Sequence, residues 1–137
     1  MRDLHRIIVH CSYTPPSMDI GVDTIKDWHV NDNGWSDIGY HYVIRRNGKI
    51  EPGRPVEQAG AHVRGHNRDS IGICLIGGMT EDRSGSDCNF TRWQWLALGS
   101  LIDSLETEYG RLECYGHRDF DNKDCPCFDM QVWKAEP

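Results

Sequence analysis

Ser70-Ile71-Gly72-Ile73-Cys74-Leu75-Ile76 carries no charge and, from Ile71 on, does not alternate between apolar and polar positions. A strand with one wet face alternates, so an unbroken apolar run of this length reads as a strand covered on both sides. Such a strand needs helices against its sheet, and the sequence downstream provides one. From Thr91 as N-cap to Gly110 just past the C-terminus, Trp95, Leu98, Leu101, Ile102, Leu105 and Tyr109 recur three and four residues apart. That spacing predicts an amphipathic helix of about five turns laid on one face of the sheet.

Upstream, Gly39 to Arg46 reads as a strand, and Asn47-Gly48 signals a hairpin returning through Lys49-Ile50-Glu51. At the N-terminal end, His5 to Cys11 is alternating and β-branched, a strand that Pro15-Pro16 brings to a stop. Asp23 and Thr24 are expected to open a helix, with Thr24 and Asp27 close to a capping-box pair, and Asn33-Gly34 to end it. Gly53 to Arg68 and Gly77 to Cys88 read as loops, Leu112 to Tyr115 as a short strand, and Asp129 to Lys134 as a final helical turn. The expected architecture is a single α/β domain over residues 1–137, a central mixed β-sheet flanked by α-helices, with its site in a cleft at the strand ends.

The 38% hydrophobic and 26% charged fractions belong to a globular protein, and the net charge of -6 argues against a general nucleic-acid binder or an anionic membrane surface. The longest apolar run near the N-terminus is Ile7-Ile8-Val9, too short for a secretory core or a membrane span. The expectation is therefore synthesis in the cytoplasm without a signal peptide, and the six cysteines read as thiols rather than three disulfides.

The residues that carry chemistry cluster near the C-terminus, in Gly116-His117-Arg118-Asp119-Phe120-Asp121-Asn122-Lys123-Asp124-Cys125-Pro126. His117 and Cys125 are two candidate metal ligands, and Lys123 is a candidate cationic group beside them. His10, at the end of the first strand, is the best third ligand. Cys127 competes with Cys125, whereas Cys11 should point away from His10 if the strand continues through it. A pair of hydrogen-bonded surface histidines and an inert thiol is the plainer alternative. Asp119, Asp121 and Asp124 imitate a calcium loop but lack its glycine and its terminal glutamate. In Gly39-Tyr40-His41-Tyr42, alternation would put both tyrosines on one face.

With those residues set out, the sequence resembles the zinc-dependent N-acetylmuramoyl-L-alanine amidases of the phage lysozyme type, in the type-2 amidase and peptidoglycan-recognition-protein superfamily. The resemblance rests on Ile8-Val9-His10-Cys11-Ser12, Trp35-Ser36-Asp37-Ile38-Gly39-Tyr40-His41-Tyr42, Gly60-Ala61-His62 with Asn67 and Ser70-Ile71-Gly72-Ile73, and Gly116-His117-Arg118-Asp119 with Lys123-Asp124-Cys125-Pro126. It implies that His10, His117 and Cys125 bind Zn²⁺, that Tyr40 and Lys123 are catalytic, and that His62 and Asn67 bind substrate. It implies hydrolysis of the amide between N-acetylmuramic acid and L-alanine of peptidoglycan, by a monomeric phage endolysin that reaches the wall once the membrane is permeabilised. Other members only bind muramyl peptides, and some also inhibit a phage RNA polymerase, so that partner stays open. The chain departs from the usual pattern at Cys127, where a small residue such as serine or glycine is common.

Overall fold

The computed structural model describes residues 2–135. Its centre is a five-stranded sheet formed by β1 (Arg6–Cys11), β2 (Tyr42–Ile44), β3 (Ile50–Pro52), β4 (Ser70–Leu75) and β5 (Glu113–Gly116), in the order β3-β2-β4-β1-β5. β2, β4, β1 and β5 run parallel, and only β3, at one edge, is antiparallel to its neighbour. Around the sheet stand α1 (Val22–Asp27), α2 (Arg92–Tyr109) and α3 (Met130–Ala135).

β4 is buried at all six positions, as its uniform composition requires. On one face, Ile7, Val9, Cys11, Ile71, Ile73 and Leu75 pack with Leu98, Leu101, Ile102 and Leu105 of α2 and Met130 of α3. On the other, Val43, Cys74 and Ile76 pack with Ile25 of α1 and Ile38. Each such leucine or isoleucine contributes about 1.5–3 kcal/mol by leaving water.

Thr91 caps α2 as expected and Gly110 follows it at φ 86, but the capping box does more than end a helix. Gln94 is fully buried, and its side-chain amide donates to the carbonyls of Ile44 and Ile76 at 3.2 and 2.8 Å. Thr91 Oγ1 in turn donates to Arg46 O at 2.6 Å. One turn of helix thus ties down the C-terminal ends of β2 and β4.

Three local expectations change. α1 begins at Val22 after Gly21 and has no side-chain cap; Glu51 accepts from the Val22 amide at 2.9 Å instead. A Cβ on residue 21 would lie 2.2 Å from that carboxylate, so the tertiary partner and the glycine go together. The hairpin closes with Arg45 N bonded to Lys49 O and Gly48 at φ +87, a three-residue loop with a left-handed glycine. Finally, the strand through Tyr42 stops there. A bend at His41 places Tyr40 with the Val43 and Cys74 cluster, while Tyr42 packs on the α2 side, so the two tyrosines do not share a face.

Candidate metal centre

β1 and β5 are parallel neighbours in the register Val9 to Gly116, and the residues that follow are His10 and His117. Their rings stand side by side at the C-terminal ends of the strands, with centroids 4.7 Å apart. After β5 the chain makes a 3-10 turn over His117–Asp119 and doubles back, so that the Arg118 amide donates to Cys125 O at 2.7 Å. The Cys11 amide donates to Cys125 Sγ at 3.2 Å, which anchors the thiol against the end of β1. The outcome is that donor atoms of His10, His117 and Cys125 lie within 4.8 Å of one another.

His10 is held from behind in a definite tautomer. Ser70 Oγ donates to His66 O at 2.6 Å, so its lone pairs are left to accept from His62 Nε2, 3.1 Å away. A neutral His62 with its proton on Nε2 has a bare Nδ1, which accepts from His10 Nε2 at 2.8 Å. His10 Nδ1 is then the unprotonated atom, ready to ligate. Burial lowers the pKa of both His10 and His62, keeping the pair neutral. On the wet side, Asp121 bridges His117 Nε2 at 3.6 Å and Lys123 Nζ at 3.9 Å.

The Cys125 thiol is held well below its usual range, first by its hydrogen bond with Cys11 and then by His10 and His117, against the opposing effect of burial. Burial raises the Tyr40 phenol well above 10, so the hydroxyl keeps its proton at neutral pH. A low thiol and two imidazoles make a set suited to a borderline-soft divalent ion. Ligand atoms of one tetrahedral zinc lie about 3.3–3.8 Å apart, a separation that a small closure of this cluster reaches. Three protein donors would leave a fourth position for water or substrate. Beside the cluster lies a cavity of about 410 Å³ lined by Tyr13, Tyr40, Ser86, His117, Lys123 and Cys125, among others.

A model of the N-acetylmuramoyl-L-alanine amidase family matches residues 1–128. The chain belongs to that family. It is 42% identical over 132 residues to the endolysin of Klebsiella phage KP32, spanning 96% of this chain and 86% of that one. To the endolysin of Escherichia phage T7 it is 42% identical over 127 residues, 93% of this chain and 83% of the other. The fold superimposes on the N-acetylmuramoyl-L-alanine amidase LysC from Clostridium intestinale URNW with a TM-score of 0.83 at 29% identity, covering 98% of this chain and 85% of LysC.

Among the residues singled out in the sequence, the fold brings His10, His117, Cys125, Tyr40 and Lys123 to one place. His62 and Asn67 do not line this cavity. His62 lies buried behind His10, and Asn67 Oδ1 accepts from the amides of His62 and Val63, each at 2.9 Å, fixing the loop that carries His62. Sequence reasoning missed Ser70 as the partner of His62 and Asp121 as the partner of His117. The only signal for Asp121 was its place four residues after His117, within reach on a tight turn.

Proposed function

We propose that this amidase-family chain is a zinc-dependent N-acetylmuramoyl-L-alanine amidase, acting as a phage endolysin on the bond between the lactyl group of N-acetylmuramic acid and L-alanine in peptidoglycan. The observation that carries this reading is the convergence of His10, His117 and Cys125 donors on the floor of a cleft walled by Tyr40 and Lys123. Zinc held there would polarise the scissile carbonyl and bring the pKa of water down to about 7.

The chain's own groups have distinct tasks. His62 and Ser70 hold His10 in the ligating tautomer. Lys123, an ammonium at the cavity wall, would share the charge that develops on the carbonyl oxygen, and Asp121 orients it. Tyr40 keeps its proton and would offer a hydrogen bond from the cavity wall, its ring 5.0 Å from that of His10. Tyr13, 42% exposed at the rim, is placed to meet the glycan or the stem peptide. Among the described residues no helix is long and apolar enough to cross a membrane.

The test combines metal analysis with mass spectrometry of digested sacculi. One equivalent of zinc and newly exposed N-terminal L-alanine are expected. Cleavage within the glycan, or undiminished cleavage by thoroughly chelated protein, would overturn the reading.

A further inference from the structure

Cys11 and Cys127 meet on the α2 side of the sheet, at the edge of the larger core cluster. Their sulfurs lie 3.8 Å apart, and Cys127 Sγ also donates to Gly78 O at 3.2 Å. Gly78 makes the meeting possible: at its φ of +97, a Cβ would stand 2.8 Å from Cys11 Sγ and 3.3 Å from Cys127 Sγ. Cys127 itself sits at φ +74, a backbone conformation that side-chain-bearing residues adopt only when the surroundings impose it. The surrounding fold therefore holds this sulfur against Cys11. Cys125 is engaged elsewhere, by the Cys11 amide and the two histidines. All six cysteines are free thiols in the structure.

We propose that Cys11 and Cys127 are a modification site, a dithiol that small aliphatic disulfides convert into an intramolecular disulfide tying the loop after β5 to the end of β1. Cys127 is partly exposed and Cys11 only 5% exposed, which sets the order of events. The Cys127 sulfur attacks one sulfur of oxidised glutathione; the glutathione S–S bond breaks, and the first glutathione leaves as a thiol with the Cys127 proton. Cys11 then attacks the Cys127 sulfur, the mixed disulfide breaks, and the second glutathione leaves with the Cys11 proton. Two protein thiols are oxidised and one small disulfide is reduced to two thiols. The sulfurs must close from 3.8 Å to a bond of about 2.05 Å, within the reach of side-chain rotation and a small loop shift.

Cys11 follows His10 directly and Cys127 lies two residues after Cys125, so the crosslink joins the two segments that supply those donors. Made in a reducing cytoplasm and used at an oxidising wall, the protein would close this bond on arrival. That last step rests on the endolysin reading; the crosslink itself does not.

The test incubates the purified full chain with oxidised glutathione, maps crosslinks by mass spectrometry of a non-reduced digest, and follows thermal unfolding with and without dithiothreitol. A Cys11–Cys127 linked peptide is expected, with loss of both of these thiols, whatever becomes of exposed Cys88. The unfolding midpoint of the oxidised chain should rise by about 5–15 °C, because the bond closes a loop of more than a hundred residues. C127S should show neither change. A stable glutathione adduct on Cys127 with Cys11 still free, a crosslink that includes Cys125, or an equal rise in midpoint for C127S would each overturn the proposal. Since none of these readouts needs zinc or muropeptide cleavage, failure here is separable from failure of the amidase reading.

Discussion

Replacing His62 by alanine tests whether the buried relay behind His10 tunes the metal ligand or merely fills space. The substitution removes two hydrogen bonds, from His10 Nε2 at 2.8 Å and to Ser70 Oγ at 3.1 Å, and leaves the His10 N–H facing a void. The imidazole also covers Gly72, whose missing side chain makes room for it: a Cβ there would lie 2.7 Å from the ring. Losing a buried partner costs about 1–3 kcal/mol, and the unfilled volume adds to that, so a stability loss of about 2–5 kcal/mol in urea is expected. Without an acceptor at Nε2, His10 loses its preference for the tautomer that presents Nδ1. Removal of such supporting partners weakens metal binding about 10–100-fold, equivalent to about 1.4–2.7 kcal/mol. Competition against a chromophoric chelator measures that affinity on folded protein below the urea transition. An affinity within twofold of the parent, alongside the stability loss, would refute the relay and leave His62 a packing residue.

Other outcomes follow from the same geometry. Lys123→Ala should retain zinc and lose about 100–1000-fold in muropeptide hydrolysis, and parent-level turnover would remove Lys123 from the mechanism. Gln94→Ala should lower stability by about 2–4 kcal/mol in urea while leaving zinc affinity unchanged, since it removes the side-chain acceptor for the Thr91 amide and one donor from each of two buried carbonyls, away from the metal donors. His41, 1% exposed, has its pKa pushed down to about 4 by burial. The unfolded chain binds that proton first as pH falls, so stability present above about pH 6.5 declines toward pH 4, by about 3 kcal/mol from this residue. Urea melts of chelated protein across that window should show the decline, and His41→Gln should make it shallower by this one residue's share, leaving that of His10 and His62; an equal slope in both would place the titration elsewhere.

How much of this could be read from the sequence depended on how local the cause was. Ile71 to Ile76 and the stripe from Trp95 to Tyr109 record burial directly in residue type, so the sheet and its covering helix were legible. His10 and His117 were legible because each follows a strand, and parallel pairing of those strands did the rest. Tyr40 was misplaced relative to Tyr42 because alternation assumes a continuous strand. The bend at His41, whose ring accepts from the Gly72 amide at 3.0 Å, is imposed by a residue 31 positions away. The roles of His62 and Gln94 were hidden for the same reason: each depends on a partner more than fifteen residues distant.

The strand order has a temporal meaning. β1 precedes the other four strands in the sequence, yet one of its two neighbours is β5, which follows them all. A nascent chain can assemble the sheet from β3 across to β1 and still hold only one of the three donors, because His117 and Cys125 both come after β5 begins. A product terminated before His117 consequently lacks two of the three donors, and the cluster comes into being only once the segment beyond β5 has been made.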